Sequence, residues 1–313
     1  HYRRNVVCMW AIVAVVLALG WLWYVDSQRS EFVERDVILL ERLALGAAFG
    51  LAQMVLSSTL IIDTCESFQR TEANHSASWF ARFALSLGPL AGIVIYMLAG
   101  FHAVVLATMG MAVASLLCIK MVTFPFRSPE EGIHVVSLDR FFLPHGFVLY
   151  VNLLLVGIVV GLLLSMPHES VFYGLMMGGF LLALLAQRFV FRDAELKSEV
   201  VSGLILMLAA LLILLAEPAS PVPPVLVGLS VGIIASRFQL FFVKLSRHCQ
   251  RGTSQNTYFL GWETGLSGGI GLGYALFFGQ PTILLYTALA LTAVALLMYH
   301  LYTHAWFVRN KNR

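Results

Sequence analysis

Charge is what this sequence lacks. Asp, Glu, Lys and Arg make up 12% of its 313 residues, about half of the quarter expected in a soluble domain. That deficit excludes an ordinary soluble enzyme and a disordered chain. Cysteine is scarce as well: Cys8, Cys65, Cys118 and Cys249 stand singly, with no CxxC pair. Neither a zinc site nor a disulfide framework is indicated, and the four read as small apolar packing residues. Polar stretches between the apolar runs are no longer than about 25 residues, which leaves no room for a soluble catalytic domain. No signal peptide is recognisable, because the first apolar run, 6–24, is long enough to span a membrane.

Apolar residues are what the chain has, at 59% with a mean hydropathy of +0.83. A hydrocarbon core of about 30 Å needs about 20 residues per helix. Runs of that length predict ten spans, near 6–24, 37–62, 78–97, 102–123, 147–166, 171–190, 199–216, 222–245, 254–278 and 281–303. The expected fold class is therefore an all-α polytopic membrane protein. The net charge of +3 is less informative than its distribution. Arg3 and Arg4; Arg70; Lys120, Arg127 and Arg140; Arg188, Arg192 and Lys197; Lys244, Arg247 and Arg251; and Arg309, Lys311 and Arg313 fall in every other segment between spans, on one side of the membrane. These are 15 of the 20 basic residues. The alternate loops hold only Arg29 and Arg35, and Arg42, Arg82 and Arg237 lie inside spans. Basic residues are retained on the cytoplasmic side, so both ends of the chain are expected there. The longest cytoplasmic segment, 124–146, holds Pro125, Pro129 and Pro144 and divides the spans four and six. The domain reading is an incomplete four-helix bundle over 1–123, a central loop over 124–146, and a six-helix bundle over 147–313.

Polar residues inside the spans are the candidates for function. Arg42 lies inside the second span, followed by Gly46 and Gly50. A buried arginine is expensive and usually functional, although snorkelling to the interface explains it equally well. In the third span, Gly88, Pro89 and Gly92 mark a bent helix open to a close neighbour. Gly174 and Gly178 make a weaker statement of the same kind. Trp262, Glu263 and Gly265 lie in a glycine-rich ninth span, where Glu263 is about 13 Å deep at 1.5 Å per residue. A carboxylate there must pair, protonate or face water. Arg237 and Glu263 are each 13 residues from Gln250, near the turn joining their spans. An antiparallel hairpin places them at similar depth, as an expected ion pair or shared wet cavity, unless they point to different faces. Gln53, Tyr150, Asn152 and Gln239, with Trp262, are expected to line a cavity or to hydrogen-bond between helices. His134 and Asp139 match an acyltransferase-like spacing, but no soluble domain accompanies them.

Taken together these segments resemble the major facilitator superfamily of secondary transporters. The start of the chain, with His1, Arg3 and Arg4, is similar to the tail of that family's basic loop motif G-x-x-x-D-R-x-G-R-R. Arg42 with Gly46 resembles the fourth-helix motif R-x-x-x-G, and Gly88, Pro89 and Gly92 resemble the fifth-helix antiporter motif G-P-x-x-G-G. Residues 251–256 leading to Trp262 and Glu263 resemble the approach to the eleventh helix. The resemblance implies helices three to twelve, with the first two absent. It further implies alternating access between two bundles, a proton as coupling ion, export of a small-molecule substrate, and a monomer in a bacterial inner membrane. The resemblance carries Arg42 over as a proton-coupling candidate; Glu263 and Arg237 are the further candidates, from their depth in the spans. No cofactor, metal or nucleic-acid partner is expected, and the lipid bilayer is the surrounding medium. Competing readings are a ten-helix drug/metabolite transporter, a membrane-embedded enzyme and a non-transporting scaffold.

Overall fold

The computed structural model describes residues 4–27, 35–66, 69–124, 141–190, 195–247 and 250–312. The motif residues His1 and Arg3, the pair His134 and Asp139, and Cys249 lie outside them, as does most of the central segment. Among the described residues all regular structure is helical, as the bilayer requires of backbone that cannot bond to water. Among the described residues eight helices are long and apolar enough to cross a membrane, and the chain is a multi-pass membrane protein.

Helix α1 spans Arg4–Ser27 and α2 spans Arg35–Val55. α2 runs through a π-helical turn, Leu56–Leu60, into the short α3, Ile61–Thr64. At that turn the Ser57 hydroxyl donates to the Gln53 carbonyl at 2.8 Å, a side-chain intrusion of the kind that widens a helical ladder. The third and fourth expected spans fall in one element, α4, Arg70–Met121. Unbroken, its 52 residues would be about 78 Å long, more than twice the hydrocarbon thickness. It breaks at Gly100, whose φ of 79° and ψ of −178° belong to a region essentially reserved for glycine. Pro89 lies within the first stretch of α4.

The remaining helices follow the expected spans closely: α5 Phe147–Ser165, α6 Ser170–Phe189, α7 Leu196–Ala216, α8 Val222–Leu245, α9 Arg251–Leu276 and α10 Pro281–Met298. A second π-helical turn, Tyr299–Thr303, joins α10 to α11, His304–Asn310. α9 is long enough to span but is not among the eight, because Thr253, Ser254, Gln255, Asn256, Thr257 and Glu263 dilute its apolar character.

The chain divides into two compact units. One comprises His1–Ala77 with Ala91–Val136, the other Ser78–Leu90 with Ser137–Arg313. The stretch 78–90, read from sequence as part of the N-terminal bundle, groups with the C-terminal helices. In the first unit, Cys8, Ile12, Val55 and Leu60 form one apolar cluster and Val15, Leu19, Ala48 and Val105 another. In the second, α5 packs along α9, α6 along α8, α7 along α8, and α10 against α5 and α7. An aromatic core fills it: Phe241 lies 4.4 Å from Phe307 between ring centroids and stacks on Tyr299, which is fully buried.

Two of these contacts bring backbones together. Gly157 and Gly161 of α5 face Gly265 and Gly269 of α9, and Gly179 of α6 faces Gly228 of α8. Small residues at such crossings let van der Waals packing replace the hydrophobic force that lipid removes. By contrast, a side chain at Gly46, Gly50, Gly88, Gly92, Gly174 or Gly178 meets nothing within 4 Å. For the α6 pair the packing glycine is Gly179, one residue beyond the one singled out.

Outside the spans, the loop between α5 and α6 holds His168, whose ring stacks on Phe172 at 3.7 Å and bonds the Leu163 carbonyl at 2.8 Å. Burial pushes the imidazole pKa below its usual 6.5. The unfolded chain then binds more protons in the window just below pH 6.5, so stability falls as pH drops through it. Thermal unfolding in detergent from neutral to mildly acidic pH is expected to show this loss. In His168→Phe, which keeps the stack and removes the titration, the loss should shrink; an unchanged pH profile would exclude His168 as its source.

Candidate functional site

The most unusual polar group of the second unit is Arg82, on the first stretch of α4. It is 5% exposed, and its guanidinium carbon lies 4.6 Å from the centroid of the Trp79 ring, one helical turn away. Nη2 donates to Gln239 Oε1 of α8 at 3.4 Å, longer than a normal bond. The Tyr258 hydroxyl of α9 is a further polar neighbour of the charge. Nε and Nη1 are buried with no hydrogen-bond partner. Among the described residues no carboxylate pairs with this cation. The segment is held by its neighbours. Trp79 packs with Ala183 of α6 and Ile233 of α8, and the Ser86 hydroxyl donates to the Tyr173 carbonyl of α6.

A second charged group lies between α7 and α8. Arg237 Nε donates to Glu199 Oε2 at 2.5 Å, with the Glu199 side chain 1% exposed. The other carboxylate oxygen, Oε1, is buried without a hydrogen-bond partner, and the Tyr299 ring is an electrostatic neighbour. Arg237 and Gln239 are two residues apart, about 200° around a helix. They therefore point to opposite sides of α8, one toward α7 and the other toward Arg82.

This corrects the expected pairing of Arg237 with Glu263. Their depths in the α8 and α9 hairpin do match, but depth says nothing of azimuth. α8 lies broadly against α7 and only narrowly against α9, whose glycine face belongs to α5. The partner of Arg237 is Glu199. Glu263 is half-buried on α9.

The other candidates are placed as follows. Gln239 meets Arg82. Asn152 is fully buried and its amide donates to the Ala295 carbonyl at 3.1 Å, tying α5 to α10. Tyr150 stacks on Phe147, and both Tyr150 and Trp262 border the aromatic core. Gly265 lies in the α5 and α9 crossing. In the first unit, Gln53 accepts the Ser57 bond. Arg42, with its side chain 57% exposed, lies 3.4 Å from the buried carboxylate of Glu41. Sequence reasoning gave no role to Arg82, Glu199 or Glu41. The signal for Arg82 was its place inside the expected span 78–97, and for Glu41 its place beside Arg42 inside the span 37–62; Glu199 fell at the start of the span 199–216, where a charge is unremarkable.

The sequence matches no protein-family model and no curated protein. Its structure is similar to solved transporters at low sequence identity. A bacterial homologue of the iron transporter ferroportin, inward-facing, superposes with a TM-score of 0.62 at 16% identity, covering 98% of this chain and 83% of that one. A bacterial homologue of the human lysosomal transporter Spinster, inward-facing and unoccupied, gives 0.62 at 12% identity, covering 100% and 85%. A bacterial metal transporter gives 0.55 at 17% identity, covering 97% and 83%. The chain has the fold of these membrane transporters.

Proposed function

We propose that this protein is a secondary active transporter that moves a small solute by alternating access, driven by protons and exporting by antiport. The observation that carries the reading is the transporter fold over 98% of the chain, together with charged side chains inside its spans. Soluble catalysis needs none of these, whereas a proton or ion path needs them. Glu263, inside α9, is the group proposed to alternate between a proton and a charge partner. Arg237 sets the local field through its bond to Glu199, and Arg42 with Glu41 tunes the N-terminal bundle. The protein works as a monomer in the inner membrane of a bacterium, with both ends of this chain cytoplasmic, as the basic loops favour. No cofactor beyond the proton enters the reading.

The experiment is reconstitution into liposomes with a pH-sensitive dye inside, followed by a panel of small solutes on a pH gradient. Solute-dependent proton movement is expected. Glu263→Gln should abolish proton-driven flux while leaving solute exchange. Driven flux at the wild-type rate would remove Glu263 from the coupling path, and no flux with any solute would favour a scaffold.

A further inference from the structure

An arginine buried in an apolar setting ordinarily has a carboxylate beside it, because an uncompensated charge away from water is among the costliest arrangements in a protein. Among the described residues Arg82 has none beside it. Glu199 of this unit is taken by Arg237 on the opposite side of α8. What surrounds Arg82 is neutral: the Trp79 ring over the guanidinium, Gln239 at 3.4 Å and the Tyr258 hydroxyl. The apolar residues Ala183 and Ile233 pack behind Trp79.

A guanidinium offers five N–H donors in a planar fork. Here one contact is long and two nitrogens are unused. The fork geometry matches the paired oxygens of a carboxylate or phosphate, bonded by two parallel N–H groups. The Trp79 face holds the plane of the fork, and the Tyr258 hydroxyl can donate to the same oxygens. A neutral or cationic ligand would leave the charge uncompensated.

We propose that Arg82, with Trp79, Gln239 and Tyr258, holds the carboxylate or phosphate group of a soluble anionic solute. As a statement about the transported substrate this rests on the transport reading above; as a statement about binding it stands alone. The four side chains come from α4, α8 and α9. A ligand bridging these helices therefore compensates the charge while tying the 78–90 stretch to its neighbours.

The test uses the purified full chain in detergent. Thermal unfolding is followed with sodium succinate as the carboxylate probe, sodium phosphate as the phosphate probe, and sodium chloride or choline chloride at matched ionic strength. A saturable rise in Tm with succinate or phosphate, and none with choline chloride, is expected. Arg82→Lys keeps the charge and loses the fork, so half-saturation should weaken by about tenfold, the equivalent of one good hydrogen-bonded contact. Arg82→Gln should abolish the response, and Arg188→Gln, at an exposed position, should keep it. The proposal is overturned if neither anion gives a saturable response in the wild type. A half-saturation unchanged in Arg82→Lys, the variant least at risk of misfolding, overturns it too. Vesicles of phosphatidylcholine with and without phosphatidylglycerol form a further arm, and stabilisation by the anionic lipid alone would also overturn a soluble ligand. Anion binding without solute-dependent proton movement in liposomes would leave the site standing and remove the transport reading. Driven flux of cations or neutral solutes without an anion response would do the reverse.

Discussion

Alanine at Gly161 or Gly269 is expected to be among the most damaging small substitutions in the protein. A Cβ at Gly161 would lie 2.2 Å from the Leu266 carbonyl oxygen and 2.8 Å from the Gly269 Cα. A Cβ at Gly269 would lie 2.2 Å from the Ile158 carbonyl oxygen. These obstacles are backbone atoms of an opposing helix, so no rotamer change relieves them. The helices must separate along the whole α5 and α9 crossing, where Gly157 and Gly265 meet in the same way. Overpacking usually costs about 1–3 kcal/mol and more where the neighbour cannot move, and here the upper end or beyond is expected. Gly46→Ala and Gly88→Ala are the matched controls, since a Cβ there meets nothing within 4 Å and alanine is the better helix former by about 1 kcal/mol. Monodisperse yield and Tm in detergent provide the measurement. Tm of Gly161→Ala within a degree of the control variants would show that the α5 and α9 backbones are not in contact.

The second large effect is expected at Arg237. Arg237→Met leaves Glu199 buried, with neither carboxylate oxygen bonded. Removing one partner of a buried pair typically costs about 3–5 kcal/mol. Replacing both, as Glu199→Leu with Arg237→Met, removes the stranded charge and should recover much of that loss. The Arg237 side chain is 17% exposed, so the lower end of the range is the better guide. A double-mutant cycle on Tm reads the coupling directly. Single and double variants that lose stability additively would show that the pair contributes no coupling.

The division between what was legible and what was not follows the physics of each signal. The ends of α8, at Val222 and Leu245, coincide with the span read from hydropathy, because a spanning helix must fill the hydrocarbon thickness with apolar residues. The merger of two expected spans into α4 depends on the backbone of Gly100, which hydropathy does not register. Azimuth was equally hidden: equal depth joined Arg237 to Glu263 on paper, while the faces of α8 join Arg237 to Glu199 and Gln239 to Arg82. The glycine crossing was half legible. The four-residue spacing of Gly157 and Gly161 repeats that of Gly265 and Gly269, a pairing signal that could have been found. Gly46 and Gly50 have the same spacing, yet among the described residues a Cβ there meets nothing within 4 Å, so spacing alone does not separate the two cases. Arg82 was visible as a charge within a span. Its lack of a counter-charge was not visible, because that is a property of three helices and not of one.

The grouping of Ser78–Leu90 with Ser137–Arg313 bears on how this protein can be taken apart. A fragment beginning at Ser137 would lack Trp79 and so would bare Ala183 and Ile233, which Trp79 covers. It would also leave Gln239 without its contact to Arg82. The boundary of the second unit in space is therefore not a boundary in sequence. Split expression, domain swapping between relatives, or a fusion placed in the middle of the chain must supply the 78–90 stretch in trans for the C-terminal helices to close over their own surface.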